Sequence, residues 1–327
     1  MTVLSKIGLT SALALAAGTL AAQAETVVVY SAAPQQMIDD LLPMFEEATG
    51  HDVELVKAGS GELLNRLRAE QGQQTADVIW SVDGSLLDLN AELFEPYSPA
   101  DADMFYDMFR TSDVWTPFTA VVMAFAVNKD ALGDLPVPTS WADLAKPEYD
   151  DMISSAGADR SGSAYIQLAT VIQNAETEEA GWELYEGIMS NMVISSSSGA
   201  VPRFVNDGEL AIGITLEDAA SRYRDGGGPV EIIYPSEGTA IVPDAMALMA
   251  DAPHPDAGKA FIDFIASPEA QAVVAEVGRR PIRTDVDAKD TLIPLDEVPA
   301  GKYDSIWAAE NRERLIDMWQ DMSLDLL

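Results

Sequence analysis

There is no cysteine in this chain and there are only two histidines, His51 and His254. The first absence removes disulfides and thiolate metal sites together. The second leaves almost nothing for a zinc cage or a Ser-His-Asp relay. No G-x-S-x-G segment occurs either, and neither histidine follows a nucleophile and an acid in the order such a relay needs. A secreted α/β hydrolase, the rival reading from the enzyme class, therefore fares badly. Positive charge is scarce too. Against 54 Asp and Glu stand only 19 Lys and Arg, a formal net charge of −35, which argues against nucleic acid and anionic membrane as partners. It does not forbid an anionic ligand, because binding depends on the local field of a few donors and not on the sum over the surface.

Long apolar runs are missing as well. The first residues, MTVLSKIGLTSALALAAGTLAAQAE, carry one lysine, an aliphatic stretch and then Ala22-Gln23-Ala24 before Glu25. That is a secretory signal over 1–24 with an A-x-A cleavage site, too short and alanine-rich to span a membrane. Nothing after it approaches about 18 uninterrupted apolar residues, so the expectation is a protein soluble outside the cytoplasm.

What is present alternates. Thr26 to Tyr30 (TVVVY) is a strand-type run, followed by Met37, Leu41, Met44, Phe45 and Ala48 at helical spacing. Val53 to Lys57 is a second strand, with Ser60 as N-cap of a helix carrying Leu63, Leu64 and Leu67, and Asp77 to Trp80 is a third. A long buried strand is expected from Ala120, then a patch broken by prolines, then a helix behind Asp159-Arg160-Ser161-Gly162-Ser163. Further strands are expected at Glu209 to Thr215, Val230 to Tyr234 and Ile241 to Met249, and Ser267-Pro268-Glu269 starts a helix that Gly278 stops. Strands alternating with helices imply parallel sheets with helices on both faces, where ligands bind beyond the carboxyl ends of the strands.

The segments TVVVYSAAPQQMIDDLLPMFEEATG, GSGELLNRLRAE, ADVIWSVD, VVMAFAVNKDAL, VNDGELAIGITLEDAA and AGKAFIDFIASPEAQ with GRRPIR resemble, in order and spacing, the periplasmic solute-binding proteins of ABC importers, in the branch labelled ferric-iron or family 1. The resemblance implies an α/β fold of two lobes (type II), each a mainly parallel sheet flanked by helices, with hinge strands between. One lobe would hold 25–120 plus 241–280, the other 121–240 plus 281–327 with the C-terminal helix. It further implies a monomer, without cofactor, that closes on a small anionic ligand and meets an ABC permease in the inner membrane.

Iron-binding members of that branch carry two adjacent tyrosines just after the strand matching Glu209 to Thr215, and a histidine shortly after the first strand. Here the matching positions are Asp218-Ala219 and Pro34, so no metal ligand set is expected, and a ferric receptor using carboxylates and a synergistic anion stays as the alternative. The anion half of the site is intact. In the iron proteins the positions matching Ser161-Gly162-Ser163 and Ser198 hold a phosphate or carbonate.

The serine run from Ser195 to Ser198 reads either as a linker or as an anion loop, and a helix N-terminus supplies donors and partial positive charge for the second reading. The expected ligand contacts are Ser31, Ser60, Gly61 and Asp83 on the first lobe. On the second they are Arg160, Ser161, Gly162, Ser163, Ser197, Ser198 and Gly199, with Glu217 and Asp218 accepting from the ligand's donor end. Arg203, Trp115 and Phe118 are further cleft candidates, and Trp80 is read as core. The expected ligand is a small phosphorylated or phosphonate solute.

Overall fold

The computed structural model describes residues 25–326, so the expected signal segment 1–24 lies outside the described residues. Strands β1 (Thr26–Ser31), β2 (Asp52–Lys57) and β3 (Val78–Asp83) are joined by helices Gln35–Thr49 and Ser60–Ala69 and lie parallel in the order β2-β1-β3. β1 and β3 are nearly all buried, as strands covered on both faces must be. β2 alternates between exposed and half-buried residues, which suits its place at the edge.

The short β4 (Phe94–Glu95) is followed by β5 (Thr116–Val127), whose twelve residues are all buried. Beyond it come β6 (Ile153–Ala156), β7 (Met192–Ser195), β8 (Ile212–Leu216), β9 (Glu231–Ile233), β10 (Ile241–Met249) and β11 (Arg280–Pro281). β6 lies parallel between β7 and β8, forming a second parallel set. β5 joins the two sets: Thr116 to Val122 pair antiparallel with β10, and Met123 to Val127 pair antiparallel with β8. The ladder therefore runs β2-β1-β3-β10-β5-β8-β6-β7, a mixed α/β architecture with helices on its faces.

Two apolar clusters serve the first set of strands, one around Val29, Trp80, Phe118 and Phe261, the other around Tyr30, Ile79, Leu87 and Trp115. A third, around Phe125, Trp141, Ile153, Tyr185 and Ile212, serves the second set and takes in Ala308, Leu315 and Trp319 from the C-terminal helices Ser305–Glu310 and Arg312–Leu326. Helices Gly162–Asn174 and Glu178–Met189 approach so closely that a Cβ on Gly181 would stand 2.7 Å from Ile172 Cα.

Three expectations shift. β8 begins at Ile212 rather than Glu209, because the Glu209 and Leu210 amides turn back to the Phe204 carbonyl after Gly208, whose φ is 73°. Glu217 and Asp218 consequently open the helix Glu217–Asp225 instead of ending a strand, and their carboxylates fall in the first turn, where the helix dipole favours them. Ser60 is the first helical residue and not the cap; Gly59 holds the N-cap position without a side-chain bond.

Candidate functional site: a rim of strand ends

All the expected contact residues sit where one of six parallel strands ends. Ser31 closes β1, Ser60 and Gly61 follow β2, and Asp83 closes β3. Arg160 to Ser163 follow β6, Ser197 to Gly199 follow β7, and Glu217 with Asp218 follow β8. The carboxyl ends of parallel strands are where open α/β sheets bind ligands, because the amides and hydroxyls of the following loops converge there.

Their local states differ. Ser31 is buried and its Oγ accepts from the Ala33 amide at 3.0 Å, so its hydroxyl serves its own loop. Asp83 caps the short helix Gly84–Asp88, accepting at Oδ1 from the Ser85 amide at 2.9 Å and the Ser85 hydroxyl at 2.7 Å. Burial pushes the Asp83 carboxyl up, against the Ser85 hydrogen bonds that lower it, and the charge of Asp244 adds to the rise. Ser161 is the N-cap of the helix Gly162–Asn174. Its Oγ accepts from the Ala164 amide at 3.2 Å and lies 3.1 Å from Ser163 Oγ, so two hydroxyls and the first amides gather at one helix start. Ser195 is buried and donates to the Ser197 carbonyl at 2.8 Å, while Ser197, Ser198 and Gly199 are exposed ahead of the helix Ala200–Asn206.

The nearby cations are unequal. Arg160 lies 3.6 Å from Asp159 and is more than half exposed. Arg203 stacks on Phe204 and lies 3.5 Å from Asp207, a surface arrangement away from the rim. Trp80 is core, as expected; Phe118, a cleft candidate, is fully buried and packs edge-on against Trp80, because β5 runs through the middle of the ladder. Trp115 is also buried, closed over Gly84. Of two surface depressions, of about 690 and 640 Å³, neither is lined by an expected contact residue, though Trp115 borders the second.

Sequence reasoning missed the partners of the acidic pair. Glu217 and Arg280 form a two-pronged buried pair at 2.7 and 2.8 Å, and the Tyr234 hydroxyl donates to the same carboxylate. Asp218 accepts from Arg279 Nε at 3.0 Å, and Arg279 Nη1 reaches Asp244 at 2.7 Å and Thr119 Oγ1 at 3.2 Å. Burial works against the charge of both arginines, but the facing carboxylates hold them firmly protonated. The donors that meet Glu217 and Asp218 are thus the chain's own guanidinium groups. A signal was available: Arg279-Arg280 is an adjacent cationic pair in a chain poor in cations, and Asp244 is a charge inside the apolar run IVPDAMALM. Arg312, also missed, stands over the Tyr165 ring at 4.1 Å, and burial pushes its guanidinium down.

Residues 73–307 match the family model of the bacterial extracellular solute-binding proteins. The chain belongs to that family, which serves transport, and its fold is shared with ferric-binding proteins. It is 30% identical, over 74% of its length and 70% of the relative's, to a probable ABC transporter periplasmic-binding protein of Sinorhizobium fredii. An Fe(3+)-binding periplasmic protein of Serratia marcescens is 24% identical over 97% of this chain and 96% of its own. A putative 2-aminoethylphosphonate-binding periplasmic protein of Salmonella typhimurium is 26% identical over 88% of this chain and 87% of its own. Among solved structures, a periplasmic binding protein of Actinobacillus pleuropneumoniae with exogenous fructose-6-phosphate bound superposes with a TM-score of 0.84 at 23% identity, covering 91% of this chain and 98% of that one. The architecture is accordingly the two-lobe periplasmic binding protein fold, and the protein is the solute-binding component of an ABC transporter.

Proposed function

We propose that the protein captures a small phosphorylated or phosphonate solute in a cleft between two lobes, 25–120 with 241–280 and 121–240 with 281–327, and delivers it as a periplasmic monomer to an inner-membrane permease. One observation carries the reading: Ser161 and Ser163 hydroxyls lie 3.1 Å apart at the start of a thirteen-residue helix, beside the exposed Ser197 to Gly199 loop on the neighbouring strand end. Amides, hydroxyls and the helix dipole there suit a dianion. The ferric alternative draws support from the Serratia marcescens relative. It meets an obstacle at Glu217 and Asp218, the carboxylates it would use, because arginines already face both.

Calorimetry with fructose 6-phosphate, 2-aminoethylphosphonate, inorganic phosphate and ferric citrate tests this. A phosphorylated compound should bind, and Ser163→Ala and Ser198→Ala should each remove a hydrogen bond to a charged group, about 1.5–3 kcal/mol, or roughly tenfold or more in affinity. Unchanged affinities in both variants would make the serine loop a connector. A coloured ferric complex with no phosphorylated ligand bound would install the alternative.

A further inference from the structure

Glu217 and Asp218 are neighbours in sequence but differ in what they have left to offer. Both Glu217 oxygens are taken by Arg280, one of them also by Tyr234, and the side chain is 3% exposed. Asp218 commits only Oδ2, to Arg279 Nε, and its side chain stays 12% exposed. Asp244 likewise commits only Oδ2, to Arg279 Nη1 at 2.7 Å and to the Ser81 hydroxyl at 2.7 Å, and stays 16% exposed. Among the described residues, neither Oδ1 receives a protein donor, and neither is sealed from solvent. One nearly buried guanidinium thus ties a carboxylate from the helix after β8 to a carboxylate on β10, leaving each with one free oxygen.

The backbone around Asp244 is irregular on both sides. Against β3 the register runs Asp244 to Asp83, Ala245 to Val82, then Met246 to Trp80, so Ser81 is skipped. Against β5 it runs Asp244 to Thr119, then Ala245 to Pro117, so Phe118 is skipped. Such bulges bend a strand and re-aim its side chains. Ser81 has a φ of 64°, a left-handed conformation that a non-glycine residue keeps only where its surroundings enforce it, and its hydroxyl is the one that meets Asp244. Two skipped residues, one of them the strained Ser81, and one shared arginine converge on a single carboxylate in an otherwise apolar strand.

We propose that Asp218 and Asp244 form the acceptor pair that recognises hydroxyl groups of the bound solute, with Arg279 as the residue that positions them across the two lobes. This rests on the reading of the cleft as the solute site, and it narrows the solute to a polyhydroxylated phosphate ester. A hydroxyl donating to a carboxylate makes a strong, charge-assisted hydrogen bond. Arg279 offsets one of the two carboxylate charges and so weakens their pull on a cation. The two free oxygens, on separate elements, suit a solute carrying several hydroxyls better than one carrying a single ammonium. Glu217, with no free oxygen, belongs to the frame.

The test has a binding arm and a ligand-free arm. In calorimetry, wild type should prefer fructose 6-phosphate to 2-aminoethylphosphonate. Asp244→Asn should lose tenfold or more for fructose 6-phosphate while leaving inorganic phosphate unchanged, and Ser81→Ala, the milder change, should move the same ligand in the same direction. Arg279→Lys keeps the charge but not the two-edged fork. It should weaken fructose 6-phosphate alone and, without any ligand, speed amide exchange in 217–221 and 80–84 together. Equal effects of Asp244→Asn on both ligands, or none on either, would overturn the acceptor role, and a wild-type preference for 2-aminoethylphosphonate would overturn the hydroxyl assignment. If wild type binds none of the three probes, the phosphorylated-solute reading fails and takes the acceptor role with it. The exchange arm still decides the bridge, and unchanged exchange in Arg279→Lys removes it.

Discussion

Arg280 is 2% exposed and one of its nitrogens, Nη1, has no partner among the described residues, so its charge is tolerated through Glu217 and Tyr234. Removing one member of a buried ion pair leaves the other uncompensated, which costs about 3–5 kcal/mol. Glu217→Ala is therefore expected to lower unfolding free energy by about that much in urea titration. Asp218→Ala should cost clearly less, since Arg279 retains Asp244 and Thr119. Equal losses would mean the two acids are energetically alike. At this scale the sequence was half legible. An adjacent Glu-Asp pair after an apolar run announces carboxylates at a strand end, but their partners lie 61 and 63 residues further on, a separation no local periodicity reports. Asp244 was readable as a charge among apolar residues; its partner Ser81 was not, because a skipped residue leaves no mark in composition.

Among the elements, those with long apolar runs were the ones sequence could place. β5 is continuous in buried residues and β1 and β10 are mostly so, and all three were expected within a few residues of where they lie. β6, with sequence ISSA, carries two serines in four residues and shows no period at all, yet it is fully buried between β7 and β8. Its strand character comes from pairing, not from propensity. The helix Gly162–Asn174, which presents Ser161 and Ser163, owes its position to the helix packed against it at Gly181. Gly181→Ala would force the new Cβ against Ile172 backbone at 2.7 and 2.9 Å, and backbone cannot yield as a side chain would. We expect a loss of about 1–3 kcal/mol, as for other overpacked sites, seen as a lowered thermal midpoint. An unchanged midpoint would show that the two helices can separate at little cost.

At the scale of the whole molecule the sequence spoke through order and spacing, since no single segment defines two lobes but the succession of strand, loop and helix does. A crossing strand from Ala120 and a returning one at Ile241 to Met249 were readable from the length of the apolar runs; where the crossing strand changes partners became visible only in the pairing. β5 changes partners midway, from β10 at Val122 to β8 at Met123, without a break in the strand. A peptide shared in this way makes the lobes one cooperative unit. If either half of the ladder melted alone, the other would keep an edge stripped of its partners and a strand anchored at one end only, and buried amide groups without partners are costly. Chains of this size often unfold domain by domain; this one should instead absorb heat in a single calorimetric peak whose measured enthalpy equals its van't Hoff enthalpy. Two resolved peaks would mean that the shared strand transmits no stability. A single one would mean that a lesion anywhere in either lobe, however far from the solute, is felt as a loss of the entire receptor.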